Sequence, residues 1–242
     1  MVVPGTGGPW PAPCFRGTMA LSPPSGGLPM RRIDLTGPIY EGMWTYGFPV
    51  PEVRVRRVAS LERDGFDAHS LHLGNVQGTC IETAAHLLPG QPTIDQVALD
   101  RFFVRAAVVQ LPDKGPRELI TAEELQRTGV SIEPGMAVIL ATGWDRMWDH
   151  HRFYWDSPQL APDAMRWLMA RRPSILGVDL TSTDSTEAPA GINKLMFGTG
   201  CMLLAPLINL RQIRQPYVDL IVLPIPVRGA CGAPCRAVAV EA

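Results

Sequence analysis

No stretch of this chain runs for about 18 apolar residues, so nothing in it reads as a membrane-spanning helix. Long runs of one charge are missing as well: 22 Lys and Arg stand against 23 Asp and Glu, a formal net charge of −1. Without a basic patch or stripe, neither nucleic acid nor an anionic membrane surface is an expected partner. Cysteine is sparse. The five thiols (Cys14, Cys80, Cys201, Cys231 and Cys235) form an odd, scattered set, which argues against a disulfide framework. Cys231 and Cys235 lie close together, but no second Cys/His pair stands at a spacing that completes a zinc site. A reducing, cytoplasmic setting is therefore expected. The N-terminus lacks the basic start and apolar run of a signal peptide. Charged residues make up 19% of the chain against 46% apolar, the balance of a soluble enzyme.

Proline and glycine crowd residues 1–30, MVVPGTGGPWPAPCFRGTMALSPPSGGLPM. Such a segment buries too little apolar surface to order itself. It is expected to be a disordered tail or one draped over a partner subunit, with Met19 and Met30 as alternative starts. Residues 31–242 read as one domain. RRIDLTGPI is expected to be a strand, EGMWTYGFPVPEV a loop and VRVRRVASL a half-exposed strand. FDAHSLHLGNVQGTCIET reads as a further strand. TIDQVALDRFFV is a short helix or turn feeding the strand RAAVVQL. TAEELQRTG is a helix with Thr121 at the N-cap and Glu124 closing a capping box. AVILATGWD and SILGVDLTSTDS are buried strands on either side of the helix SPQLAPDAMRWLMARRP, and VDLIVLPIPV and CRAVAVEA close the chain. Strands and helices mix without a strict βαβ repeat, which predicts an α/β or α+β fold with a mixed sheet.

Chemistry concentrates in Gly74 to Gly90, GNVQGTCIETAAHLLPG, where Cys80, Glu82 and His86 fall within seven residues. In an extended segment Cys80 and Glu82 point to one side, and a helical turn can bring His86 back to them. A buried Cys is most often a small apolar residue, so an ordinary core strand is the competing reading.

The order of the pieces resembles the cyclase family, which includes bacterial kynurenine formamidase and isatin hydrolase. ATGWDRMW, FYWDSPQLAPDAMRWL, ILGVDLTSTDS and CGAPCRAVAV carry the resemblance, over about Ile33 to Ala239. It implies a swivelling β/β/α domain assembled as a homodimer or homotetramer. It also implies the signature H-x-G-T-H-x-D-x-P-x-H, in which two His and the Asp hold zinc or manganese and the last His is the acid/base. Gly78 and Thr79 fix the register, so the signature falls on Val76, Cys80, Glu82, Ala84 and His86. A later family His–Arg pair falls on Asn193 and Lys194, and a metal-binding Glu falls on Ala205. Val76, Asn193 and Ala205 offer no strong ligand, whereas Cys80, Glu82 and His86 remain as three donors. A catalytic zinc usually takes three protein ligands, and here His86 would have to give up proton transfer to serve as one.

The expectation is thus a site without a metal cofactor that takes a small carbonyl-containing substrate. In one scheme Cys80 is a nucleophile activated by His86 and Glu82. In another, Glu82 and His86 are a general acid/base pair. Ring closure, dehydration or isomerisation in natural-product biosynthesis suits either. A metal-dependent amide or lactam hydrolase, a ligand binder without catalysis, and a structural subunit are the alternatives. Trp44, Tyr46 and Phe48 are candidate substrate-stacking residues or loop anchors. Val76 is a candidate apolar wall and Trp144 a pocket or fold-defining residue. Asn193 and Lys194 are candidate polar contacts, Asn193 as a donor to a carbonyl oxygen. Asp179, Ser182 and Asp184 read as loop-holding residues, the other four histidines as surface or core, and Cys201, Cys231 and Cys235 as inert thiols.

Overall fold

A computed structural model describes residues 30–185 and 187–241. The proline- and glycine-rich tail expected over residues 1–29 lies outside the described residues. The chain runs β1 (Arg31–Asp34), β2 (Arg54–Ala59), α1 (Leu61–Asp64), β3 (Ala68–His72), β4 (Cys80–Glu82), β5 (Phe103–Gln110), β6 (Leu119–Ile120), α2 (Ala122–Arg127) and β7 (Ala137–Ala141). It continues with β8 (Gln159–Leu160), α3 (Pro162–Met169), β9 (Ile175–Val178), α4 (Ile192–Gly198), β10 (Met202–Ala205), β11 (Tyr217–Pro224) and β12 (Gly232–Glu241). Thr121 caps α2 with the expected capping box to Glu124. Among the described residues no helix is long and apolar enough to cross a membrane.

Eight strands form one mixed sheet in the order β1-β12-β11-β5-β7-β9-β10-β4. The end strand β4 pairs antiparallel with β10 on one edge and with the start of β12 on the other. That second pairing rolls the sheet into a barrel; the mixed sheet of an α+β domain is as expected. Strand alternation then sorts side chains into two cores. Ile139 of β7, Ile81 of β4 and Ala233 of β12 pack together inside the barrel. Val138 and Leu140 of β7 and Leu203 and Ala205 of β10 face outward, under α3 and α4, with Trp144, Met165 and Leu168. Both faces of β7 are covered, which is why AVILA reads as an unbroken apolar run.

One expected element is divided. FDAHSLHLGNVQGTCIET is two strands, because β3 leaves the barrel to form a separate ribbon with β2. The break comes at residues 73–79, where Gly78 takes φ +67. A Cβ there would lie 3.0 Å from Ile39, so both the backbone conformation and the space favour glycine.

Candidate functional site

β4 is the seam that closes the barrel, and the cluster predicted around it is built there. Thr79 anchors its start. The Thr79 hydroxyl donates to the Pro206 carbonyl at 2.7 Å and accepts from Gly37 N–H at 2.9 Å. Cys80 pairs across with Ala205, and Glu82 lies between Leu203 on one side and Gly232 on the other. With Ile81 turned into the barrel, Cys80 and Glu82 both face outward, and the Cys80 sulfur is 3.9 Å from Glu82 Oε1. After β4 the chain enters a 3-10 turn, Ala84–His86, whose N-cap Thr83 accepts from Ala85 N–H at 3.3 Å. The turn brings His86 back over the strand, and its Nδ1 lies 3.4 Å from Glu82 Oε2.

This pair opens into a cavity of about 220 Å³, lined also by Tyr46, Val76, Tyr154, Asn193 and Phe197. Glu82 is 8% exposed. Burial raises its carboxyl above the usual range, and the neighbouring His86 and the Cys80 thiol pull it partly back. Tyr46 is held as a neutral phenol, raised well above the ordinary value by burial and then by Cys80, Glu82 and Tyr154. Asn193 Oδ1 accepts from the Thr183 hydroxyl, and among the described residues the Asn193 NH₂ meets no acceptor, which makes it a donor on the cavity wall.

The other candidates fall in several places. Trp44, 6% exposed, stands edge-on to Tyr46 and Trp148 inside the helix-side core, so it supports the wall and is not part of it. Phe48 is fully exposed, and of the aromatic loop only Tyr46 lines the cavity. Trp144, 1% exposed, donates its indole N–H to the Phe153 carbonyl at 3.0 Å and is a fold residue. Lys194 lines a neighbouring surface depression with Asp184 and Asn193. Asp184 holds its loop as expected, accepting from the backbone N–H groups of Ser185, Ala190 and Ile192.

Cys80 lies behind the cavity and does not line it. It is fully buried, and its thiol donates to the Ala205 carbonyl at 3.2 Å. Burial, followed by the charge of Glu82, pushes it well above an ordinary thiol. The sulfur that touches His86 is another one: Cys231 Sγ lies 3.5 Å from His86 Nδ1. Tyr154, Thr181 and Phe197 also line the cavity without having been marked in the sequence, as does Ser182, which was read only as loop-holding. Their own segments carry no local signal of it, because α4 and the barrel bring them together.

The positions that would hold the divalent ion of related proteins do not suit one. Val76 and Ala205 have no donor, Asn193 Oδ1 is committed to Thr183, and the Cys80 thiol faces a carbonyl. Among the described residues no group of three or more His, Cys, Asp or Glu side chains is arranged to hold a metal ion.

Comparison with known proteins places this geometry. A kynurenine formamidase from Bordetella petrii is 25% identical over 164 residues, 66% of this chain and 74% of that protein. The isatin hydrolase A structure from Ralstonia solanacearum superposes with a TM-score of 0.78 at 23% identity, covering 88% of this chain and 92% of its own. A Bacillus stearothermophilus structure, described as a predicted metal-dependent hydrolase, gives 0.73 at 20% identity, over 88% and 99%. The cyclase family model matches residues 33–185. That is more than half of the sequence, and the chain belongs to the cyclase family.

Proposed function

We propose that this protein is a hydrolase-like enzyme of the cyclase family that has given up the metal and works by proton transfer on a small carbonyl compound. The observation that supports this most is the Glu82–His86 pair, Oε2 to Nδ1 at 3.4 Å, at the wall of a cavity whose other inherited ligand positions bear no strong ligand. A carboxyl raised by burial and an imidazole in contact share a proton readily. Either one takes a proton beside a carbonyl, and its partner returns one. The Asn193 amide supplies a neutral donor to an oxygen that gains charge in the transition state, and the Tyr46 hydroxyl, which donates to the Thr181 carbonyl at 3.4 Å, would have to turn from it to add a second. Val76 and Phe197 are apolar parts of the cavity wall, and a less polar surrounding strengthens such contacts. Ring closure, dehydration or isomerisation requires no more than such a placed acid and base. The substrate is a small molecule, and a homodimer or homotetramer is the expected assembly, readable by light scattering.

The relatives' names favour a second reading, metal-assisted opening of an amide or lactam, and one experiment separates the two. Purified protein is analysed for metals, then screened against formanilides and isatin with and without a chelator. Turnover that survives chelation, persists in Cys80→Ala and collapses in Glu82→Gln and His86→Ala supports the acid/base site. One equivalent of zinc or manganese per chain, with activity lost on its removal, overturns it.

A further inference from the structure

Four cysteines fall among the described residues, and three of them, Cys80, Cys201 and Cys235, are buried. The fourth, Cys231, is half-exposed and sits in the approach to β12, directly before Gly232. Barrel closure fixes it there. Gly232 is the β12 residue opposite Glu82, so its neighbour in the chain arrives beside the same seam. The Cys231 carbonyl accepts from the backbone N–H of Thr83 at 2.8 Å and from its hydroxyl at 3.0 Å. Thr83 is also the N-cap of the turn that carries His86. One residue thus positions both the thiol and the imidazole.

The sulfur lies 3.5 Å from His86 Nδ1, and that nitrogen lies 3.4 Å from Glu82 Oε2. On its other side the Asn75 amide, anchored on the Gly232 carbonyl at 3.0 Å, donates to the sulfur at 3.4 Å. Thiol and carboxylate meet the same nitrogen: with the ring proton on Nε2, Nδ1 is open to the thiol proton, and the N–H that forms there is met by Glu82, while the Asn75 amide donates to the sulfur; these are parts of an activated nucleophile. The imidazole lines the cavity; Cys231 does not line it and meets it through His86, so it is not an isolated surface cysteine.

We propose that Cys231 is the nucleophile of this site, and that the pocket transfers acyl groups of esters, amides or lactams through a thioester on it. This rests on the Glu82–His86 proton-transfer reading. The Cys231 S–H proton passes to His86 Nδ1 while the sulfur pair forms a C–S bond and the carbonyl π pair moves to oxygen. When that pair returns, the bond to the alkoxide or amine leaving group breaks, and the group departs with the proton from His86. Water then gives its proton to His86 and its hydroxyl to the acyl carbon. The C–S bond breaks, and the thiol recovers its proton. No oxidant and no metal enters. The scheme supplies by covalent catalysis what the relatives named as metal-dependent hydrolases obtain from an ion.

The test uses p-nitrophenyl acetate as an acyl donor and maps the label by mass spectrometry of the intact protein and its peptides. A transient acetyl group on Cys231 is expected in wild type and in Cys80→Ala. Acetylation should be slower by about ten-fold or more in His86→Ala, given what a placed base contributes. Label on another residue, or Cys231 labelling at equal rates in wild type, His86→Ala and denatured chain, overturns the proposal. Because the mapping uses wild-type protein, it holds even where Cys231→Ala folds poorly. If a folded Cys231→Ala turns over at the wild-type rate while Glu82→Gln and His86→Ala do not, the nucleophile fails and the acid/base reading stands. If all three turn over normally, both fail.

Discussion

Gly232→Ala tests the seam from which the whole site follows. A Cβ built on Gly232 would lie 2.6 Å from the Ile81 carbonyl oxygen and 3.1 Å from Cα and Cγ of Glu82. Ordinary contact begins near 3.4 Å, and the obstacle is backbone on the neighbouring strand, so no side chain can rotate away. Either β12 withdraws from β4 or the ladder between them bends. Forcing one methyl into a packed position costs about 1–3 kcal/mol. In a domain of this size each kcal/mol lowers the melting midpoint by about 2–4 °C. Differential scanning calorimetry should therefore show a fall of several degrees. Gly198→Ala is the matched control. Its Cβ meets nothing within 4 Å, and its φ is not in the left-handed region, so its melt should be unchanged or slightly raised. Equal midpoints for Gly232→Ala and wild type would refute the closure of the barrel through β4 and β12, and with it the placement of Cys231 beside His86.

Cys80→Ala removes a buried sulfur whose thiol serves a carbonyl, so it should cost about 1 kcal/mol of stability and leave turnover near wild type; a near-complete loss of activity in a folded variant would restore Cys80 as the nucleophile. Asp184→Ala frees three backbone N–H groups and the loop before α4, so inhibitor or substrate affinity, read by titration calorimetry, should fall because Asn193 is no longer held against the cavity. Asp179 is raised from the usual 3.8 to about 7, by burial first and Asp145 besides, against hydrogen bonds from Thr142. The folded state thus holds a proton that the unfolded state releases, and the stability due to this group is greatest below pH 4 and declines as pH rises to about 7. Denaturant titrations across that window should show the decline in wild type and its absence in Asp179→Asn.

What could be read in the chain beforehand divides by sequence distance. Thr121 and Glu124 are three apart, and Cys80, Glu82 and His86 span seven residues, so alternation and one turn suffice to place each set. The buried strands were legible for the same reason: AVILA is apolar on both faces because the barrel interior takes one and the helices take the other. The break between β3 and β4 was less visible. Apolar residues alternate on both sides of it, and the deciding feature is the left-handed backbone at Gly78, where Ile39 leaves no room for a Cβ. Within the aromatic loop, spacing does not say which ring turns inward; packing on Trp148 and Phe153 takes Trp44 into the core and leaves Tyr46 at the cavity. Cys231 could not be found locally at all. It lies 145 residues from His86, and only the pairing of β12 with β4 makes them neighbours.

The same pairing explains why two cysteines so close to Glu82 have opposite characters. Cys80 is the first residue of β4, paired with Ala205 and Pro234, fully buried, with the Ala205 carbonyl as its acceptor. A thiolate there would face both the low polarity of the core and the charge of Glu82, and each disfavours it. Cys231 precedes the ladder, where the Asn75 amide donates to its sulfur, His86 Nδ1 lies 3.5 Å away and the side chain is half-exposed. The face of Glu82 turned to His86 is the one that opens into the cavity, and the proposed proton chemistry uses that face. His86 is on that side, and so is Cys231.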